Sequence, residues 1–240
     1  MPTSFPVSLS GTDIVTALIY TGEEAVKIGA TLILGHGAGA GQTSPFMVSF
    51  GSGLAALGLD VITFNFPYAE RGRRAPDRGP SLEACYRSVV ETARAAHPSV
   101  AKRPLLIGGK SMGGRIASQI AAVPANDTVK TRPDLDIAGL VLLGYPLHPP
   151  GKPDRMRNNH LHRIGVPMLI VQGSRDSFGT PNELRPVLAQ LSEAQLHVVD
   201  GGDHSFNLRR KSAPSQEQIH AAVVNKVIRW VQTITRQAGV

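Results

Sequence analysis

The chain has 240 residues, with 25 Lys and Arg against 18 Asp and Glu, a formal net charge of +7, and 42% hydrophobic residues, enough for a sizeable core and for one domain spanning 1–240. No run of about 18 apolar residues occurs, and the first residues lack a basic stretch followed by an apolar one, so neither a membrane span nor an export signal is expected. A single cysteine, Cys85, excludes an internal disulfide and leaves the cytoplasm as the default location.

In chain order, residues 7–10 and 13–20 predict a hairpin of two short strands joined at Gly11-Thr12. Residues 30–34 form a near-continuous apolar run, the pattern of a strand buried on both faces, and lead into Gly35-His36-Gly37-Ala38-Gly39-Ala40-Gly41. A helix over 46–57 ends at Gly58, and a strand over 60–66 is closed by Pro67. An irregular basic segment, 68–79, precedes a helix to about residue 96, with Leu82, Tyr86, Val89, Val90 and Ala93 at helical spacing. Cys85 shares that face and reads as core. A strand ends at Gly108-Gly109-Lys110-Ser111-Met112-Gly113-Gly114, whose helix stops before Pro124. Further strands are expected at 137–143, 167–171 and 195–199, and helices at 182–191 and 215–236, with a proline-rich, basic excursion over 145–163. Apolar strands alternating with helices predict an α/β fold with a doubly wound, mostly parallel sheet and helices on both faces. In such sheets chemistry gathers at the carboxyl ends of the strands.

Gly109-Lys110-Ser111-Met112-Gly113 fits G-x-S-x-G, the nucleophile elbow, in which small residues on either side let a strained turn expose a serine hydroxyl. A serine needs a histidine to take its proton and an acid to orient the histidine. Asp176 follows the strand at 167–171 and His204 follows the strand at 195–199, so Ser111, Asp176 and His204 stand in the order serine, acid, base at three strand ends. Asp203 and Asp200 compete for the role of the acid. The oxyanion needs donors already aimed at it, expected from the N–H groups of Met112 and Ala38. Gly37 and Arg74, the latter from the basic loop after a strand end, are expected to line the substrate site, with an anionic substrate group as the partner for the arginine. His160-Leu161-His162 lacks further ligands at metal spacing, and His160 is expected in a loop packed over the site.

Two nucleotide readings fail on single residues. Gly35 to Ala40 matches a dinucleotide fingerprint, but the next strand ends at Phe64-Asn65-Phe66, without the acid that would hold the ribose. Gly109-Lys110-Ser111 resembles the tail of a Walker A loop, whose first glycine would fall on Pro104. Nor is a nucleic-acid partner expected. The basic residues sit in short loops, one holding Arg71, Arg73, Arg74 and Arg78, the other Arg209, Arg210 and Lys211, with no accompanying recognition motif.

The segments Gly35-His36-Gly37-Ala38-Gly39, Asn65-Phe66-Pro67-Tyr68 with Arg71-Gly72-Arg73-Arg74-Ala75-Pro76-Asp77, Gly108-Gly109-Lys110-Ser111-Met112-Gly113-Gly114-Arg115, His160-Leu161, Gln172-Gly173-Ser174-Arg175-Asp176-Ser177-Phe178-Gly179 and Gly202-Asp203-His204-Ser205-Phe206 resemble the α/β-hydrolase superfamily. Within it, the chain is similar to the dienelactone-hydrolase-like branch that includes the hydrolase-like domain of testis-expressed and NSL-complex subunit proteins. The resemblance implies Ser111 as nucleophile, Asp176 as acid, His204 as base and no cofactor; no metal is expected from the residue spacing. The short gap between the strands at 137–143 and 167–171 implies no large cap domain. The function expected is a serine hydrolase for a small-molecule ester, with a binding protein on the same fold as the alternative.

Overall fold

The computed structural model describes residues 1–123, 135–209 and 214–237. Its strands are β1 (Thr3–Ser8), β2 (Ile14–Tyr20), β3 (Thr31–Gly35), β4 (Asp60–Phe64), β5 (Leu105–Lys110), β6 (Gly139–Leu143), β7 (Met168–Gly173) and β8 (Ala194–Val199). They form one sheet in the order β1-β2-β4-β3-β5-β6-β7-β8. The β1–β2 and β2–β4 pairs are antiparallel and every other pair is parallel. The expected hairpin is therefore present, at one edge.

The helices are α1 (Pro45–Ala56), α2 (Pro67–Glu70), α3 (Gly79–Ala96), α4 (Pro98–Ala101), α5 (Met112–Ala121), α6 (Pro181–Leu188) and α7 (Gln216–Gln237). Successive strand residues point to opposite faces, and the parallel strands bury both. Ile33, Ile107, Leu142 and Ile170 pack with α3, α5 and α6 on one side, while Leu32, Leu34, Leu106, Val141 and Val171 pack with α1 and α7 on the other. Helices thus cover both faces, as the alternation of apolar strands and amphipathic helices requires.

Three local findings refine the expected elements. The basic segment after β4 begins with α2, a single helical turn whose proline at the first position suits a helix start. Helix α3 begins earlier than its apolar spacing suggests, with a proline in its first turn. The β6–β7 connection contains one short 3-10 turn, Leu161–Arg163, and no cap domain. Pro124, Arg210 and Lys211 lie outside the described residues. No helix among the described residues is long and apolar enough to cross a membrane.

Candidate active site

The elbow between β5 and α5 is set by backbone crowding. Ser111 has φ 51° and ψ −113°, a left-handed turn that a residue with a side chain adopts only under constraint. A Cβ on Gly109 or on Gly113 would collide with the carbonyl of Gly35 at the end of β3. The glycines two before and two after the serine are therefore needed because both pass the same carbonyl. The Ser111 N–H donates to the Leu143 carbonyl at 3.0 Å, tying the turn to the end of β6.

Tyr86, fully buried in α3, supports the elbow from beneath. Its hydroxyl accepts the Gly108 N–H at 3.0 Å and lies 2.8 Å from the Ile33 carbonyl and 2.7 Å from that of Gly108. A Cβ on Gly108 would collide with the Val141 carbonyl, so this stretch of β5 has no space for a side chain.

Ser111 Oγ lies 2.8 Å from His204 Nε2, and His204 Nδ1 lies 2.7 Å from Asp176 Oδ2. Asp176 follows β7 and is buried; it also accepts from Gln172 Nε2 at 2.8 Å and from the Phe178 N–H at 2.8 Å. Three donors on one carboxyl group hold it as an acceptor, so Nδ1 carries the imidazole hydrogen and Nε2 is left to accept from Ser111. The Phe178 ring stacks on that of His204, with centroids 4.2 Å apart and planes 28° apart, which restricts the imidazole to one orientation. Asp203 is occupied elsewhere, accepting from the N–H groups of Ser205 and Asn207, and Asp200 from Ser174 Oγ. These bonds hold Asp203 below the usual carboxylate range, although its burial opposes them.

After β3 the chain turns through His36 and Gly37. The Phe66 N–H donates to His36 Nε2 at 3.1 Å, so Nδ1 carries the hydrogen and donates to the Gly37 carbonyl at 2.9 Å. Burial pushes the His36 imidazole down to about 4, which keeps it neutral. The same carbonyl accepts from the Ala40 N–H and the Tyr68 hydroxyl. Because the Gly37–Ala38 peptide is trans, pinning its carbonyl on one side turns the Ala38 N–H to the other. Among the described residues, neither the Ala38 nor the Met112 N–H donates a hydrogen bond within the chain.

A cleft of about 550 Å³ opens beside Ser111, with Gly37, Ala38, Met112 and His204 in its lining. Arg74 and His160 are not among its lining residues. Arg74 is exposed, while His160 bonds Ser118 Oγ through Nε2 at 2.8 Å. Burial, with Arg115 nearby, pushes His160 down to about 4. Among the described residues, no three His, Cys, Asp or Glu side chains gather as metal ligands.

The cleft also contains residues that motif spacing does not flag. Lys110 is buried at 7% exposure, its ammonium donates to the His204 carbonyl, and it lies 5.5 Å from the centroid of the Phe46 ring. Burial lowers it to about 8, with Asp176 and Asp203 pulling the other way. Gly144, at φ +66°, leaves room for it, since a Cβ there would sit 2.9 Å from the amine. Gln172 and Phe178 hold Asp176 and His204, and Arg115, Arg157 and Asp77 add to the polar lining of the cleft. Gln172 was signalled by its place in the resembling segment before Asp176 and as a polar residue inside the otherwise apolar β7.

Comparison with known proteins places this geometry in context. The chain is similar to a lidless α/β serine hydrolase from Xanthomonas campestris, at 21% identity and TM-score 0.70 over 95% of this chain and 94% of that one. It is similar also to an α/β serine hydrolase homologue from Coxiella burnetii, at 18% identity and TM-score 0.71 over 95% and 96%. Est1E from Butyrivibrio proteoclasticus matches at 13% identity and TM-score 0.70 over 95% and 98%. At these identities the likenesses speak for the fold. A family described as alpha/beta hydrolase domain matches residues 29–232, most of the sequence, and the chain belongs to that family.

Proposed function

We propose that this protein is a cofactor-independent serine hydrolase of small carboxylic esters, working through an acyl-enzyme. The observation that carries the reading is the hydrogen-bonded series Ser111, His204, Asp176, at 2.8 Å and 2.7 Å, at the mouth of a cleft. In this reading Ser111 Oγ bonds to the ester carbonyl carbon while its proton passes to His204 Nε2, and Asp176 stabilises the imidazolium. The oxyanion is held by the N–H groups of Ala38 and Met112, whose unpaired donors support the assignment. Collapse breaks the bond to the alkoxy oxygen, which leaves with the proton from His204. Water then attacks the acyl carbon and gives its proton to His204, releasing the acid and restoring Ser111.

Similar folds described as esterases, an esterase domain from Rhodothermus marinus among them, favour an ester over an amide in this reading, and the resemblance to dienelactone hydrolases points within that class. The test is labelling with a fluorophosphonate probe together with turnover of p-nitrophenyl butyrate. The wild type is expected to label and Ser111→Ala to lose both labelling and at least about three orders of magnitude in kcat. Equal labelling of the two proteins, or none of the wild type, counts against the reading and favours a binding role.

A further inference from the structure

The cleft carries more positive charge than hydrolysis of an uncharged ester needs. Arg115 stands in the first turn of α5, where its N–H donates to the Ser111 carbonyl at 3.0 Å, and both residues line the cleft. Arg157 comes from the β6–β7 connection. There its N–H donates to the Leu147 carbonyl at 2.7 Å and its carbonyl accepts from the Tyr145 hydroxyl at 2.6 Å, which fixes its backbone. Both arginines are partly buried and line the cleft. They are close enough for Arg157 to lower Arg115, in addition to the larger effect of its burial.

Counter-charge is scarce. Arg115 Nη1 donates to Gln119 Oε1 at 3.0 Å, and Glu83 acts on Arg115 only through its field. Among the described residues, no carboxylate forms an ion pair with either guanidinium. Asp77 is the one carboxylate in the cleft lining, and Arg73 bridges it at 2.8 Å. Two guanidiniums held together in a partly desolvated wall repel one another, and an anion received between them removes the repulsion. Guanidinium geometry suits a carboxylate, which it meets with two parallel hydrogen bonds.

We propose that Arg115 and Arg157 form an anion subsite for a carboxylate on the substrate, so that the ester preferred is a half-ester of a short dicarboxylic acid. The inference rests on the hydrolase reading above. Ser111, Arg115 and Arg157 line the same cleft, so the carboxylate and the scissile carbonyl belong to one short acyl chain. The exposed Arg74 takes no part.

The test compares kcat/KM for monomethyl glutarate and methyl butyrate, followed by pH-stat. The wild type is expected to prefer the half-ester by about tenfold or more, chiefly through KM. Arg115→Met and Arg157→Met are each expected to bring the ratio towards one, with Arg157→Lys retaining part of it. A wild-type ratio of one or less overturns the subsite, as does a ratio unmoved in both methionine variants when they melt like the wild type. Should those variants fail to fold, inhibition of the wild type by free glutarate against neutral glutaramide decides the matter, equal weak inhibition counting against the subsite. Calorimetry of glutarate on Ser111→Ala separates the two readings. Binding there without turnover or labelling of the wild type defeats the hydrolase alone, whereas turnover of methyl butyrate through Ser111 without glutarate binding defeats the subsite alone.

Discussion

Lys110 lies beside Ser111, yet its chain position assigns it no role in G-x-S-x-G. In the folded protein it joins the end of β5 to the loop carrying His204, and its amine titrates near 8 because burial disfavours the charged form. The unfolded chain keeps that proton up to about pH 10.4. Between pH 8 and 10 the unfolded state therefore binds more protons here than the folded state, and stability from this site rises with pH. Below pH 8 both states are charged and the burial cost is fully present. Urea denaturation of the wild type and Lys110→Met at pH 7.5 and pH 10 is expected to show the difference shifting towards the wild type by about 2 kcal/mol. An unchanged difference would mean that the amine is not desolvated. At this scale, Ser111, Asp176 and His204 were legible because each stands where an apolar run stops. Arg157 was not, since a loop residue gains its neighbours only from tertiary packing.

At the scale of the elements, the elbow depends on two close approaches to the sheet. Tyr86→Phe removes the acceptor for the Gly108 N–H and leaves buried polar groups unpaired, a loss of about 1–3 kcal/mol in unfolding free energy. Gly113→Ala drives a methyl into the Gly35 carbonyl, where neither partner is a flexible side chain, and is expected to cost at least as much while also displacing Ser111. Gly165→Ala, with open space at its Cβ, serves as the control and is expected to melt like the wild type. Thermal melts with fluorophosphonate labelling separate these outcomes: Gly113→Ala loses both stability and label, Tyr86→Phe mainly stability. The strands and long helices could be read from their periodicity. Helix α2 could not, because four residues leave no helical period to detect.

For the molecule as a whole, parallel order and two-sided burial were legible because β3, β5, β6 and β7 are apolar on both faces, which only helices on both sides can cover. The order of strands across the sheet was not, since apolar runs do not say which neighbour each one takes. That order brings the turn after β5 and the loops after β7 and β8 together. Cys85 offers a view of the same assembly. It is the chain's one thiol, 1% exposed in the core beside the Asn65 carbonyl, and burial pushes it up to about 12, so at neutral pH it is neither reachable nor ionised. Reagents that need a thiolate can modify it only after α3 lifts from the sheet. The rate of modification by a disulfide reagent in native buffer is expected to fall orders of magnitude below that of a free cysteine and to climb with added urea. A fast, urea-independent reaction would show that this core opens readily. The lone cysteine thus acts as a built-in clock for the opening of the scaffold that holds Ser111, His204 and Asp176 in register.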